Sequence, residues 1–302
     1  YSKAAGRSIV PAVSPMIWHP LQNKYIMSKQ NQALEQLDLP GVQNIILVAS
    51  GKGGVGKSTV ASNLALAYAR EGYRTGLLDA ELYGPSVPIL FGIEGDRPGV
   101  KQENDQDIMI PVEKYGVKIM SIGFLMNSQD PVIWRGPMAS NALTQLITST
   151  EWGELEYLIV DMPPGTGDII ITLAQKLRRA MGLVVITPQK LAVSDGLKAA
   201  NMFLNEKLHI PLLGVVENMS WFVPRKHPDE KYYLFGNGGG QQLAKKTQSS
   251  LLARIPLVQD VSESMDQGRN LFENGNEPMV EAFSDLASSI REKAEQVGTQ
   301  KE

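Results

Sequence analysis

The chain has 302 residues, 43% of them hydrophobic and 20% charged, and a net charge of −3. That is enough for one large domain or two small ones. The charge argues against a broad nucleic-acid-binding face, and no apolar run approaches the roughly 18 residues of a membrane span. With no cysteine, the chain has no disulfide, no thiol nucleophile and no cysteine metal site.

Residues 1–36 read as an irregular tail or linker, with Pro11, Pro15, Pro20 and the polar run Ser28-Lys29-Gln30-Asn31-Gln32. The chain opens at Tyr1 rather than Met, so targeting is not judged from it. A cytoplasmic location is expected, with import into an organelle left open. Residues 37–302 read as one domain. Strand candidates are 44–50, 75–79, 117–122, 156–161, 182–187, 212–216 and 252–256. Helix candidates are 57–71, 137–149, 169–180, 193–206, 237–247 and 278–295. Such alternation predicts an α/β fold, a doubly wound and mostly parallel sheet with helices on both faces. The strands are nearly all apolar (Leu158-Ile159-Val160, Leu183-Val184-Val185-Ile186), as expected when both faces are covered. Residues 82–116 break the rhythm and read as an insertion or long loop. The last helix candidate lacks the broad apolar face of a membrane-surface helix and reads as a packing helix.

The most informative stretch is Gly51-Lys52-Gly53-Gly54-Val55-Gly56-Lys57-Ser58-Thr59. It fits the phosphate-loop pattern G-x-x-x-x-G-K-[ST], with an apolar strand before it and a helix-forming run after it. Its glycines let backbone N–H groups turn onto phosphate oxygens, and the helix adds its positive end. Lys57 is expected on the β- and γ-phosphates of a nucleoside triphosphate and Ser58 on Mg²⁺. Tyr157-Leu158-Ile159-Val160-Asp161 is an apolar strand ending in an acid, which would hold Mg²⁺ through water. Pro163-Pro164-Gly165-Thr166-Gly167 behind it is placed to sense the γ-phosphate. Asp79 and Glu81, two apart on an extended chain, share a face. One would orient the attacking water and the other touch a Mg²⁺-bound water. Lys52 points outward from its own loop and could stabilise transition-state charge at a facing subunit's nucleotide. Glu217-Asn218-Met219-Ser220 follows a strand end, where the Asn218 amide can pair with adenine.

These motifs together resemble the Mrp/ApbC family of P-loop iron–sulfur carrier ATPases, part of the deviant-P-loop group that includes the Min and Par positioning ATPases. The resemblance rests on residues 51–59, Leu77-Leu78-Asp79-Ala80-Glu81-Leu82-Tyr83-Gly84-Pro85-Ser86 and Trp134-Arg135-Gly136-Pro137-Met138. It continues through residues 161–168, Thr187-Pro188-Gln189, residues 217–220, and Phe235-Gly236 before Gly238-Gly239-Gly240. It covers about residues 38–290. It implies a homodimer with ATP at the interface, Lys52 acting across it, and Asn218 at the adenine. Iron–sulfur assembly or client proteins are the implied partners, with no nucleic acid and no membrane.

Two departures stand out. Where the family usually has a second Asp, this chain has Glu81, whose carboxylate reaches about 1.5 Å further. Slow hydrolysis is the expectation. Where the family typically has Cys-x-x-Cys, Pro224 and His227 fall roughly in its place, so a cluster on this chain's own ligands is not expected. Two readings stay open: an ATPase serving iron–sulfur assembly, or a nucleotide-dependent switch or scaffold with no cluster of its own.

Overall fold

The structure, a computed structural model, describes residues 37, 39–125, 136–177, 179–206, 208–227, 229–273 and 277–299. The supposed tail 1–36 and the Trp134-Arg135 part of the resemblance lie outside them. The first half runs β1 (Val42–Ala49), α1 (Lys57–Arg70), β2 (Thr75–Asp79), α2 (Val87–Leu90), β3 (Gly99–Glu103), β4 (Gln106–Ile110), β5 (Val112–Lys114), β6 (Val117–Ser121) and α3 (Gly136–Thr148). The second runs β7 (Leu155–Asp161), α4 (Asp168–Lys176), β8 (Ala180–Ile186), α5 (Lys190–Phe203), β9 (Leu212–Glu217), β10 (Phe222–Val223), α6 (Gly239–Lys246), β11 (Leu251–Arg254), β12 (Leu257–Val258), α7 (Gln259–Asp266) and α8 (Glu277–Thr299).

Eight strands form one sheet in the order β11-β9-β8-β1-β7-β2-β6-β5, parallel throughout except the edge strand β5. The expected doubly wound α/β fold is present. Strand β1 lies at the centre, in register with β7 on one side (Leu47 opposite Val160) and β8 on the other (Val48 opposite Leu183). Strands β2 and β8 are buried along their whole length, which is why β8 reads as an unbroken apolar run. Helix α1 buries ten of its 14 residues. Its Tyr68 ring stacks on Tyr157 of β7 at 4.0 Å and donates its hydroxyl to the Ala287 carbonyl of α8 at 3.1 Å. The last helix is thus a packing helix, locked to the back of α1.

Several expectations need correction. Residues 82–116 are not one long loop: they hold α2, the β3–β4 hairpin and edge strand β5. The hairpin turns at Asn104 and Asp105, both with positive φ (50° and 60°), the conformation of a tight primed turn. The helix read as 169–180 ends at Lys176, because Leu177 is already extended and pairs with Leu37. Strand β8 accordingly starts at Ala180, and helix α5 begins at Lys190 rather than 193. Helix α7 and the short pair β10–β12 were not read at all.

Because the main strands are parallel, their C-terminal ends meet on one side of the sheet. The phosphate loop, residues 80–86, residues 162–167, Thr187–Gln189 and residues 218–238 all follow those ends. Sheet topology therefore gathers motifs more than 160 residues apart into one crevice.

Candidate functional site

The crevice holds a cleft of about 300 Å³. One wall is phosphate loop: Gly53, Gly54, Gly56, Lys57, Ser58 and Thr59. The other is Glu81, Gly84, Ser86 and Leu90 from the segment after β2, with Pro164 from the loop after β7. A Cβ built on Gly53 or Gly54 would meet nothing within 4 Å, so these backbones face open space on the cleft side. Gly51 and Gly56 instead face protein. A Cβ on Gly51 would lie 2.0 Å from the Asp195 carbonyl of α5. Gly56, at φ 79°, caps α1, and a Cβ there would lie 2.2 Å from Asn218 Nδ2.

Lys57 is buried with its Nζ 2.6 Å from Asp161 Oδ1 and 3.3 Å from Ser58 Oγ. Asp161 is wholly buried, and its Oδ2 has no hydrogen-bond partner. An acceptor left open in such a place costs on the order of 1–3 kcal/mol, which suits a donor arriving with a ligand. Burial raises the Asp161 pKa, against the pull of Lys57. These residues fit a triphosphate with Mg²⁺: open N–H groups for the phosphates, one ammonium, the Ser58 hydroxyl, and an orphaned carboxylate oxygen for metal-bound water.

Asp79 sits opposite Asp161 on the neighbouring strand. Its carboxylate is wholly buried and committed to protein. Oδ1 accepts from Glu81 N (3.1 Å), and Oδ2 from Val87 N (3.1 Å) and Ser121 Oγ (3.0 Å). Burial, then the Asp161 charge, push its pKa up to about 7. Asp79 therefore shapes the segment leading into α2 and does not line the cleft. Glu81 does line it, half-buried, with Oε1 accepting from Tyr83 N at 3.2 Å and its pKa raised by burial.

Lys52 lies at the loop's rim, its Nζ 3.5 Å from Gln189 Oε1 in the same chain. Val55 is buried, and its carbonyl accepts from Asn218 Nδ2 at 2.8 Å. One of the two Asn218 amide hydrogens is committed to the phosphate loop, and Asn218 is not among the cleft residues. Ser50 ties two loops together, its carbonyl accepting from Gly165 N (2.9 Å) and its hydroxyl donating to the Lys52 carbonyl (2.9 Å).

The most connected residue the sequence reading missed is Glu217. It is wholly buried, its Oε2 accepts from Gly240 N at the start of α6 (2.6 Å), and its Oε1 takes Ser220 Oγ (2.8 Å) and Arg254 Nε (3.0 Å). An acid ending an apolar strand was the available signal; its partners lie too far along the chain to be read. In the loop beyond, Pro224 and His227 close a turn, with His227 N donating to the Pro224 carbonyl at 3.2 Å. His227 is exposed and stands 3.7 Å from Glu230 Oε1. Among the described residues no group of three or more His, Asp or Glu is placed to hold a metal ion. The sequence also holds no cysteine, the residue whose thiolate is the usual ligand of an iron–sulfur cluster.

Comparison with known proteins agrees with this geometry. The family profile described as ParA, NUBPL iron-transfer P-loop NTPase, matches residues 41–291. An iron-sulfur cluster carrier protein of Pseudomonas fragi is 49% identical over 83% of this chain and 88% of its own length. The iron-sulfur cluster transfer protein NUBPL of Dictyostelium discoideum is 40% identical over 83% of this chain and 77% of its own. A nucleotide-binding protein of Archaeoglobus fulgidus, solved in complex with ADP, superposes with a TM-score of 0.68 at 37% identity, covering 80% of this chain and 92% of that one. The cell division ATPase MinD of Pyrococcus furiosus shares the fold, with a TM-score of 0.59 at 21% identity over 82% of this chain and 98% of that one. With its phosphate loop, its acid-ended strands and its matched span all in agreement, the chain belongs to the ParA/NUBPL family of iron-transfer P-loop NTPases.

Proposed function

We propose that the protein binds ATP with Mg²⁺, hydrolyses it slowly, and serves iron–sulfur assembly without holding a cluster on its own side chains. The observation that carries this reading is the buried Lys57–Asp161 pair beneath open phosphate-loop N–H groups. On binding, Lys57 turns from Asp161 to the β- and γ-phosphates. Mg²⁺, held by Ser58 and through water by Asp161, would neutralise charge on the phosphates. Glu81, not Asp79, reaches the cleft and orients water; Asp79 acts by holding the Glu81 and Val87 backbones.

The active form we propose is a homodimer with nucleotide at its interface. Exposed apolar residues cluster after the C-terminal strand ends: Tyr83, Leu191 and the run Tyr232-Tyr233-Leu234. A face of that kind suits a second copy, whose Lys52 would reach across. We place the protein in the cytoplasm or in an organelle matrix, the second because the Arabidopsis thaliana relative, 44% identical, is named mitochondrial.

The cluster is cargo in this reading, supplied with ligands by a partner or client. The missing cysteines favour a second reading, a nucleotide switch with no iron–sulfur role. Phosphate release from ATP with and without Mg²⁺ tests the enzyme; no release and no bound nucleotide would sink it. Anaerobic incubation with iron and sulfide separates the two readings. Cluster retention only when a thiol-bearing partner is present supports the assembly role. No retention with any partner, while ATP still binds, supports the switch.

A further inference from the structure

Strand β9 ends in two neighbours that hold different loops. Asn218 donates to the Val55 carbonyl and packs against the left-handed turn at Gly56, so it grips the phosphate loop. Glu217 grips the other side, through Ser220, the first turn of α6 at Gly240, and Arg254. Arg254 carries the contact outward. Its guanidinium carbon lies 5.2 Å from the Trp221 ring centroid, and it donates to Asn237 Oδ1 at 2.8 Å. Lys231 Nζ lies 4.7 Å from the same centroid. Trp221 is therefore flanked by two cations and opens the loop that presents Tyr232, Tyr233 and Leu234 to solvent.

Between the grips sits Met219 at φ 53°, a left-handed backbone that a non-glycine residue rarely adopts. Its neighbours pin it: Asn218 N donates to the Ile186 carbonyl at 2.8 Å and Ser220 N to the Ile255 carbonyl at 2.9 Å. A short turn held at both ends in an unfavourable conformation has few ways to move except as a unit.

We infer that the Glu217–Ser220 turn is a latch coupling occupancy of the phosphate loop to the conformation of residues 221–240, with the Arg254–Trp221 contact as its output. The inference rests on the nucleotide reading of the cleft. Seating phosphates reshapes the loop that carries the Val55 carbonyl. A buried amide cannot stay unpaired without cost, so Asn218 must follow or find another acceptor. Displacing it shifts Met219, the residue that joins it to Ser220. Glu217 cannot yield alone, because leaving Arg254 would strand a buried charge. The apolar run after Trp221 is then shown or withdrawn with the nucleotide. By linkage, whatever binds that run must alter nucleotide affinity in return.

The test uses the full chain. Trp221 emission is isolated as the difference between the chain and its Trp221→Phe variant, titrated with Mg·ADP and with a non-hydrolysable ATP analogue. Labelled-nucleotide dialysis measures binding in parallel, and amide exchange over 221–240 gives a second readout. The latch predicts a Trp221 emission shift and altered exchange that track occupancy. Asn218→Ala, at saturating nucleotide, should lose most of both. Arg254→Gln, remote from the cleft, should lose the emission shift while nucleotide still binds. Bound nucleotide with unmoved Trp221 and unchanged exchange overturns the latch alone. A response that survives in Asn218→Ala removes that residue from it. No bound nucleotide overturns the nucleotide reading and the latch with it.

Discussion

Replacing Lys57 with Met separates two roles that one side chain fills. Met keeps most of the buried stem and removes the ammonium 2.6 Å from Asp161. Nucleotide binding should be lost. The nucleotide-free protein should also suffer, because Asp161 is wholly buried and its Oδ2 already lacks a partner. Removing one member of a buried pair costs about 3–5 kcal/mol. For a domain of this size that is roughly 6–20 °C in Tm, at roughly 2–4 °C per kcal/mol. The sign with pH follows. Without Lys57 the Asp161 pKa in the folded state rises further above its unfolded value, so the stabilising neutral form is lost as pH rises through it. The deficit should therefore be larger at about pH 8 than at about pH 5, because the more acidic solution favours the neutral carboxyl. Adding Asp161→Asn should restore stability without restoring nucleotide binding. Melting curves of the three proteins at both pH values decide the matter. A Lys57→Met deficit that is absent, or unchanged between the two, refutes the argument that this pair balances the buried charge.

Other outcomes follow from the same geometry. Lys52→Ala should keep nucleotide binding by dialysis and lose turnover, and normal phosphate release from this variant would remove the cross-interface role. Glu81→Asp, which shortens the carboxylate's reach into the cleft by one methylene, should raise turnover by about tenfold, read as phosphate release under saturating ATP. Gly56→Ala puts a methyl 2.2 Å from Asn218 Nδ2 and strains a φ of 79°, so affinity for Mg·ADP should fall by about tenfold or more. Asp79 is held near 7 in the fold against an ordinary 3.8, so nucleotide- and metal-free protein should lose stability as pH rises from about 4 to about 7. Denaturant midpoints across that window check it, and a flat profile would mean Asp79 stays ionised.

The fold was legible because its signal is local. The central parallel strands are largely apolar, and the long crossover helices announce themselves between them. The phosphate loop was legible for the same reason: nine consecutive residues carry it. What failed was either short or distant. The β3–β4 hairpin is mostly exposed or half-buried, without alternation, over five-residue strands too short to show a period, and α7 (Gln259–Asp266) carries few apolar residues. Lys57 and Asp161 lie 104 residues apart, so nothing in the spacing shows that they pair before nucleotide arrives. Asp79 looked like a water-orienting acid from its place at a strand end. Its commitment to Val87 N and Ser121 Oγ depends on how the next segment folds back, which no window around it contains.

The turn at Pro224 and His227 carries a lesson about how this architecture changes its work. It hangs beyond the sheet, joined to it through Glu217 and the short β10–β12 pair, and His227 faces solvent. Nothing in the core registers which side chains occupy it. The side chains at these two positions can therefore differ without removing any residue that lines the nucleotide cleft. What this turn presents to solvent is thus set by its own few side chains, while the cleft is built from residues elsewhere in the chain.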